Sequence, residues 1–361
     1  MQGRLARGTL AGSPSQAATP ARADTYEDAI RREPLLTKLA RRAITIPGLV
    51  VVTALWLLAG AAIVPIGLAI DLLRGKPQLI ARFWAILAVV LVGQLLGMFV
   101  LYGAWLLCGF GLASAAFAAW NHKILGGWSR LNVSALAWIY GMSYEIEGAH
   151  LANPGPTLLL SRHSSIIDTI VPIAVLGWGH DVGFRIVLKH ELLYSPPVDS
   201  IGHCRPVAFV RRGAGTLAHE LENITKLARG LGANETVLFF PEGTRFTPAK
   251  QAKIVAKLAA KHPEAAAAAA ALRHVLPFRP AGTHALIDAA PHDDLLFCAH
   301  TGFEDAAQLE DFIRGGLYRK QIKIKYWRVA ARDVPADHVA REVLLNQHWT
   351  AMDNWVEANR A

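Results

Sequence analysis

A histidine and an aspartate stand five positions apart in the segment SRHSSIID, residues 161–168. Residues five apart on an α-helix are separated by about 140° around its axis, so His163 and Asp168 would not share a helix face. The preceding PTLLLS reads as a strand, and Ser164 and Ser165 are good N-cap residues for a helix carrying IIDTIVPIAVL. We therefore expect His163 at a strand's carboxyl end and Asp168 in the first turn of the next helix, where its carboxylate reaches back to the imidazole.

This pair predicts proton abstraction from an alcohol. A neutral imidazole has an unperturbed pKa near 6.5, and a carboxylate can fix its tautomer and stabilise the imidazolium. No G-x-S-x-G sequence occurs, so neither serine is placed like a hydrolase nucleophile, and the nucleophile would be a substrate hydroxyl. A structural role stays open, because Ser165 and Asp168 have the spacing of a capping box. Since a carboxylate has two oxygens, one can cap while the other holds the ring.

A second group of polar residues follows the apolar strand in FFPEGTRF, residues 239–246. Glu242 is followed by Gly243, which lets a ligand approach the backbone. Thr244 and Arg245 then offer donors suited to phosphate. A plain exposed turn is the alternative interpretation of the same residues.

A third group is the arginine pair Arg211 and Arg212, which ends the apolar run PVAFVRR. Two adjacent arginines at a strand end are more often solvated than ligand-bound. All three groups, however, fall at carboxyl ends of predicted strands, which is the edge where open α/β sheets bind their ligands.

The elements that must position these groups are short β-like runs separated by helical patterns. Eight strands are predicted: YEIEG (144–148), PTLLLS (156–161), FRIVLK (184–189), PVAFVR (206–211), TVLFFP (236–241), HVLPFR (274–279), LLFCAH (295–300) and QIKIKYW (321–327). Helices are predicted near 165–176, 215–229, 249–260, 282–289 and 337–358, with the alanine tract 265–272 as a helical extension. This alternation predicts an α/β fold whose mostly parallel sheet is flanked by helices on both faces.

The first third of the chain has a different composition. Residues 1–42 are rich in Ala, Arg, Ser and Pro and are predicted to be a disordered basic leader. Residues 43–120 hold two apolar runs, 43–73 and 83–120, each long enough for a bilayer, which needs about 20 residues. We therefore predict a two-helix membrane anchor over 43–120 and an α/β domain over 121–361.

Basic residues give the anchor a predicted orientation. Arg31, Arg32, Lys38, Arg41 and Arg42 precede the first run and favour a cytoplasmic N-terminus, so two crossings would return the domain to the cytoplasm. The link between the runs is also basic, with Arg74, Lys76 and Arg82. A hairpin that dips into one leaflet without crossing is therefore the alternative.

Charge and cysteine content restrict the partners. The 361 residues carry a net charge of +9, which fits a phosphate-bearing partner such as nucleic acid, anionic lipid or a phosphorylated small molecule. The three cysteines form no C-x-x-C pair, so neither a disulfide framework nor a zinc ribbon is indicated.

Together the polar groups carry a family resemblance. His163-x4-Asp168, FVRR, FPEGTR and HVLPFRPAGT, in this order over about residues 143–330, resemble the glycerolipid acyltransferases of the 1-acylglycerol-3-phosphate type. The contexts VLKHELLYSPP and FPEGTRFTPAK look similar to the branch that contains lysocardiolipin and lysophosphatidylinositol acyltransferases.

The resemblance implies roles for the residues that match. His163 would be the general base and Asp168 its partner. The residues associated with the acceptor's phosphate would be Arg212, with its neighbour Arg211, and Glu242, Gly243, Thr244 and Arg245, while Pro277 matches the family's fourth block. Two departures, Arg162 for the usual Asn and Pro206 for a frequent Gly, bear on acceptor identity more than on the chemistry.

The implied activity is transfer of a fatty acyl group from acyl-CoA or acyl-carrier protein to the hydroxyl of a lysophospholipid, foremost 1-acylglycerol-3-phosphate. No bound cofactor, metal or nucleic acid is expected, and backbone N–H groups after His163 are candidates for the oxyanion site. The expected location is a membrane, with the domain on the cytoplasmic face, as at a bacterial inner membrane. The alternatives are another lysophospholipid acceptor or a non-catalytic lipid-binding protein on the same fold.

Two other sequence patterns fit less well. GAGTLA (213–218) matches a dinucleotide fingerprint, but its expected acidic residue is missing at the right distance, because Glu242 is too far and inside FPEGTR. HELEN (219–223) has Asn223 where a zincin needs its second histidine, so a metalloprotease lacks a ligand.

Overall fold

The computed structural model describes residues 34–110, 112, 114–202, 207–210, 217–260 and 263–360. Within them, seven strands form one sheet in the order β1-β7-β6-β2-β5-β3-β4. The strands are β1 (Ser143–Glu147), β2 (Thr157–Ser161), β3 (Gly183–Lys189), β4 (Val207–Val210), β5 (Glu235–Phe239), β6 (Asp294–Thr301) and β7 (Gln321–Val329).

The predicted mostly parallel sheet is confirmed. Strands β6, β2, β5, β3 and β4 are parallel neighbours, whereas β7 runs antiparallel to β6 and β1 runs parallel to β7. The carboxyl ends of β2, β5 and β6 therefore meet at one edge of the sheet. That edge receives the segments that begin with His163 and Glu242.

Helices cover both faces of the sheet. In chain order they are α1 (Leu35–Leu73), α2 (Leu79–Leu107), α3 (Ser114–Tyr140), α4 (Ile170–Pro172), α5 (Pro196–Gly202), α6 (Leu217–Ala228), α7 (Pro248–Ala259), α8 (Pro263–Ala271), α9 (Pro280–Ala289), α10 (Glu310–Arg314) and α11 (His338–Asn359). Four of the five predicted helices are confirmed as α6, α7, α9 and α11. The alanine tract forms α8, a separate helix that begins at Pro263 instead of extending α7.

The central strand β2 shows how the sheet divides the core. All five of its residues are buried, and successive side chains point to opposite faces. Leu159 packs in the cluster that includes residues of α3, whereas Leu158 and Leu160 pack in the cluster that includes residues of α6, α9 and α11. A strand buried on both faces explains why PTLLLS reads as a continuous apolar run.

One predicted strand is wrong. Residues 274–279 do not join the sheet, because their backbone N–H groups have other acceptors. The buried carboxylate of Asp353 on α11 accepts the backbone N–H groups of residues 273–275, and Glu242 accepts that of Leu276. The segment therefore crosses the end of the sheet as irregular chain.

The helix predicted from residue 165 begins later. Residues 166–169 form turns, α4 begins at Ile170, and the chain continues as a π-helix over Ile173–Trp178. Asp168 thus lies in the turn before the helix, not in its first turn. The turn ends where Ile170 and Val171 donate backbone hydrogen bonds to the carbonyl of Ile167.

The apolar runs are confirmed as helices, with different boundaries. By length and composition α1 and α2 are long and apolar enough to cross a membrane. The second run, however, is divided between α2 and α3, and the predicted boundary at residue 120 falls inside α3. A helix also extends to Leu35, inside the predicted leader.

Several predictions lie outside the described residues. These are Arg211 and Arg212, Pro206, residues 213–216 of GAGTLA, and residues 1–33 of the leader.

Candidate active site

His163 and Asp168 meet at the carboxyl end of β2. Nδ1 of His163 lies 3.1 Å from Oδ2 of Asp168, while the histidine side chain is 20% exposed and the aspartate side chain is fully buried. Nδ1 therefore donates to the carboxylate, and Nε2 makes no hydrogen bond to the part of the chain that the structure describes. This is the arrangement of a general base whose tautomer is fixed by a buried acid.

A single oxygen of Asp168 accepts hydrogen bonds from both the ring of His163 and the backbone. Oδ2 also accepts the backbone N–H groups of Ser164 (2.5 Å) and Ser165 (2.7 Å). The expected division of labour between the two oxygens is therefore wrong, since the tight turn brings all three donors to the same side of the carboxylate. The N–H groups of Ser164 and Ser165 are thereby engaged and do not fit the oxyanion role predicted for this stretch.

The charge of Asp168 is stabilised by this setting. Burial opposes ionisation, yet the neighbouring His300, the hydrogen bond from His163 and the backbone donor of Ser165 together hold the pKa of Asp168 below its ordinary value. The carboxylate is therefore ionised at neutral pH, as a partner of an imidazole base must be.

The loop after β5 is joined directly to His163. Phe246 donates its backbone N–H to the carbonyl of His163 at 2.7 Å, and the ring of Phe240 stacks on the imidazole with centroids 4.4 Å apart. The backbone N–H of His163 in turn donates to Oε1 of Glu242 at 2.7 Å. The two sequence segments that are 80 residues apart thus form one unit.

Glu242 supports this unit from inside the protein. Its side chain is buried, and its second oxygen, Oε2, accepts the backbone N–H of Leu276 at 2.8 Å. Burial raises the pKa of Glu242 to about 8, against the lowering effect of these two N–H groups and of Arg162. The contacts give Glu242 a positioning role, and the substrate contact predicted for it stays a prediction.

Gly243 is required by the backbone and by a close neighbour. Its φ of +65° lies in the left-handed region, and a Cβ there would stand 2.7 Å from Nε of Arg279. The exposed side chain of Arg279 therefore lies over the loop after β5. Its backbone N–H also donates to the carbonyl of Pro241 at 2.9 Å.

Thr244 and Arg245 both accept hydrogen bonds from a lysine of the next helix. Nζ of Lys250, in the first turn of α7, donates to Oγ1 of Thr244 at 3.0 Å and to the carbonyl of Arg245 at 2.9 Å. The guanidinium of Arg245 donates to the carbonyl of Ala307. Arg245, Lys250 and Arg279 thus bring three positive charges to the loop after β5.

Arg162, which precedes His163, points away from this surface. Its side chain is fully buried and donates to the carbonyls of His274 (3.0 Å) and His300 (2.6 Å). The guanidinium also forms a 2.6 Å ion pair with Glu304. The structure therefore gives Arg162 a supporting place in the core instead of a contact with a ligand at the surface.

An apolar cavity of about 260 Å³ borders the turn that carries Asp168. Its walls come from that turn, from α2 and α3, and from β3. They include Ile166, Thr169, Ile170, Met98, Leu125 and Phe184. Such a space next to the dyad suits a hydrocarbon chain.

A family model and a solved structure are similar to this chain. The family model described as Acyltransferase matches residues 143–293, which include His163, Asp168 and the loop after β5. This match supports an acyltransferase. The crystal structure of the 1-acyl-sn-glycerophosphate (LPA) acyltransferase PlsC from Thermotoga maritima is similar with a TM-score of 0.49 and 14% sequence identity, over 78% of this chain and 97% of that chain.

Four residues near the candidate site were not singled out by the sequence. Lys250 and Arg279 lie in quoted segments but gave no pattern of their own. His300 ends a predicted strand at the same edge as His163, and that position was its signal. Asp353 lies beyond the matched region on α11, and nothing in its sequence context points to residues 273–275.

Proposed function

We propose that this protein transfers a fatty acyl group from an acyl thioester, acyl-CoA or acyl-carrier protein, to the free hydroxyl of 1-acylglycerol-3-phosphate, giving phosphatidate. The observation that carries the proposal is the contact between Nδ1 of His163 and the buried carboxylate of Asp168, with Nε2 directed to no other described group. The match of residues 143–293 to the acyltransferase family supports the same class of reaction.

In the proposed reaction His163 acts as base and then as acid. Nε2 accepts the proton of the substrate hydroxyl while its oxygen forms a bond to the thioester carbonyl carbon. The carbon–sulfur bond then breaks, and the leaving thiolate takes the proton from the imidazolium, which restores neutral His163. Asp168 stabilises the imidazolium between the two steps, and no acyl group is attached to the protein.

The cations around the loop after β5 would bind the acceptor's phosphate. Arg245 and Lys250 flank the loop, and Arg279 lies over Gly243. Guanidinium and ammonium groups donate the charge-assisted hydrogen bonds that phosphate oxygens accept most strongly. Arg211 and Arg212 are proposed to add to this site, as the sequence predicts.

The apolar cavity beside Asp168 would bind an acyl chain. Ile166, Thr169 and Ile170 follow the dyad directly and form one of its walls. A chain placed there would leave its carboxyl carbon near His163, where the reaction takes place. The surroundings are apolar, so burial of each CH₂ group would add about 0.8 kcal/mol to binding.

Both ends of α1 are proposed to lie on the same side of the membrane. At its start, Arg41 and Arg42 form ion pairs of 2.6 and 2.5 Å with the buried Asp199 on α5. At the start of α2, Arg82 donates to the carbonyl of Ile139 and lies over the ring of Tyr318, 5.2 Å from its centre. Because the start of α1 and the start of α2 both contact the α/β domain, α1 cannot cross a bilayer that excludes that domain. We therefore propose the hairpin within one leaflet.

A tryptophan stripe on α3 extends the proposed membrane contact. Trp120, Leu131 and Trp138 are exposed and lie on one side of the helix, as residues 11 and 7 positions apart do. Trp178 lies outside α3, but it is also exposed and stands next to Gly127 of that helix. Tryptophan is enriched where a membrane meets water, so this stripe fits the headgroup level. The cytoplasmic face of a bacterial inner membrane stays the proposed location.

The proposal is tested by incubating membranes that contain the full-length protein with labelled acyl-CoA or labelled acyl-carrier-protein thioester and a panel of lysophospholipids. We expect labelled phosphatidate from 1-acylglycerol-3-phosphate, and a loss of about 10²–10⁴-fold in His163→Ala. His122→Ala, which removes a surface pair with Asp181, is the control and should keep full activity.

The other outcomes separate the alternatives. Labelling of lysophosphatidylinositol or lysocardiolipin alone would reject the proposed acceptor and favour the branch that the sequence resembles. Binding of lysolipid without transfer by either donor would show a non-catalytic lipid-binding protein.

A further inference from the structure

A second histidine lies behind the His163–Asp168 pair. His300 is near the carboxyl end of β6, which pairs with β2 so that Ser161 lies opposite Cys298. The side chain of His300 is buried, with 3% of the residue exposed, and its ring meets that of Phe303 edge-on at 5.6 Å. It therefore cannot contact a substrate, and any influence on the reaction must pass through Asp168 or its neighbours.

The position of His300 places one ring nitrogen against the dyad. Nε2 lies 3.1 Å from the carbonyl oxygen of Arg162 and 3.6 Å from Oδ1 of Asp168. Oδ1 is buried and has no hydrogen-bond partner among the residues that the structure describes. The second distance exceeds that of a hydrogen bond, but an N–H dipole at this range acts on a buried carboxylate with little screening.

The proton of His300 is fixed by its surroundings. Burial lowers the pKa of His300, although the charge of Asp168 opposes this, so burial favours the neutral ring. Because both oxygens near Nε2 are acceptors, the proton of the neutral ring lies on Nε2. The other charged groups around it are Arg162, which donates to the carbonyl of His300, and Glu304, which pairs with Arg162. Arg162 and Glu304 neutralise each other, which leaves Asp168 as the net charge in this region.

We propose that His300 is a positioning residue for the dyad: its Nε2–H holds the carbonyl of Arg162 and stabilises Oδ1 of Asp168, so that Oδ2 stays directed at Nδ1 of His163. These two contacts act on both sides of His163. One holds the carbonyl of the preceding residue, Arg162, and the other stabilises the carboxylate of Asp168. This inference rests on the proposed acyl transfer, and it predicts an effect on turnover instead of on substrate binding.

The test compares variants that keep or lose the Nε2 donor. Gln at position 300 can place an amide nitrogen where Nε2 lies, whereas Asn is one carbon shorter and cannot. We expect His300→Ala and His300→Asn to lower kcat by about 10- to 100-fold, the range known for groups that orient metal ligands and applied here to a group that orients a base. KM for acyl-CoA and for 1-acylglycerol-3-phosphate should change less than about threefold, and His300→Gln should recover most of the loss.

The pH profile separates positioning from packing. Without the donor, the negative charge of Asp168 is less compensated and stabilises the imidazolium of His163 more, so the acid limb of kcat/KM should move to higher pH by about 0.5–1 unit in His300→Asn but not in His300→Gln. His284→Ala is the matched control, because His284 is also buried but stacks on His338, far along the chain from the dyad. It should leave kcat and the profile unchanged once the folded fraction is measured by thermal unfolding.

The results discriminate between the two proposals. If the wild-type protein transfers and His163→Ala does not, but His300→Asn and His300→Gln share one kcat and one pH profile, the positioning role is rejected and the proposed function stands. If the wild-type protein does not transfer at all, the proposed function itself fails. Should His300→Ala not fold, the Asn and Gln variants still decide, because they differ by a single CH₂ group.

Discussion

The loops after β2 and β5 lie side by side and each buries a carboxylate, but the two carboxylates have different partners. Asp168, after β2, is surrounded by two imidazoles and two backbone N–H groups, and its pKa lies below the ordinary value. Glu242, after β5, accepts from two backbone N–H groups of the residues that the structure describes, and burial raises its pKa to about 8.

This difference separates the two loops by what their polar groups contact. The loop after β2 stabilises the charge of Asp168 next to His163, and its polar groups are engaged inside the protein. The loop after β5 buries Glu242, and the cations around it are the partly buried Arg245 and Lys250 and the exposed Arg279. We therefore expect the chemistry at the loop with the buried charge and recognition at the loop that is surrounded by cations.

The largest expected effect is the removal of Asp168. Asp168→Ala would leave Nδ1 of His163 and the backbone N–H groups of Ser164 and Ser165 without their acceptor. We expect kcat/KM for acyl transfer to fall by about 10²–10⁴-fold. Asp305→Ala, which removes an exposed partner of Lys320, should stay near wild type. Equal activity of the two variants would remove the distinction between the loops.

The next effect concerns the buried ion pair that supports the loop after β2. Arg162 pairs with Glu304 at 2.6 Å, and this pairing overcomes burial and holds the pKa of Glu304 at about 2. Glu304→Gln would leave the buried guanidinium of Arg162 uncompensated, so we expect the free energy of unfolding at pH 7 to fall by about 3–5 kcal/mol.

The stability that the Arg162–Glu304 pair contributes should depend on pH. Because the folded pKa of Glu304 is lowered, its stabilisation is fully present above about pH 4.5 and is lost as the pH falls toward 2. Urea unfolding at pH 7 and pH 3 should therefore show a smaller difference between wild type and Glu304→Gln at the lower pH. Glu310→Gln, at an exposed pair with Arg314, should change stability by less than about 0.5 kcal/mol.

A smaller effect on stability is expected for Glu242, and its dependence on pH is opposite to that of Glu304. Its folded pKa is raised, so the free energy of unfolding should decrease as the pH rises from about 4.5 to about 8, by up to about 1.4 kcal/mol per unit. Glu242→Gln should remove this slope, since the amide does not titrate. Thermal unfolding across the range measures it, with Glu264→Gln on α8 as the exposed control; a slope that persists in Glu242→Gln would assign it to another group.

The smallest effect tests recognition at the loop after β5. Arg279→Met keeps much of the side-chain length but removes the charge over Gly243. We expect KM for 1-acylglycerol-3-phosphate to rise by about 10-fold with kcat nearly constant, since a charge-assisted hydrogen bond contributes about 1.5–3 kcal/mol. Arg273→Met, whose guanidinium pairs with Glu357, is the control. An unchanged KM for Arg279→Met would place the phosphate elsewhere.

Some of the site was predictable because its residues are close in sequence. The break between His163 and Asp168 follows from helix geometry, and PTLLLS reads as a strand because β2 is buried on both faces. The start of the following helix and the strand at 274–279 were predicted wrongly. In both places carboxylates accept the backbone N–H groups, and a local pattern does not show an acceptor such as Asp353, which lies about 80 residues away.

By itself the sequence determined which chemical groups stand at the ends of which strands, because apolar periodicity and turn residues are local properties. It also determined that the first part of the chain holds two long apolar helices. Only the tertiary structure decided that Arg162 points inward, that His300 lies behind Asp168, and that the starts of α1 and α2 both contact the α/β domain. These contacts join residues more than 40 positions apart, and they depend on how the sheet and its helices pack.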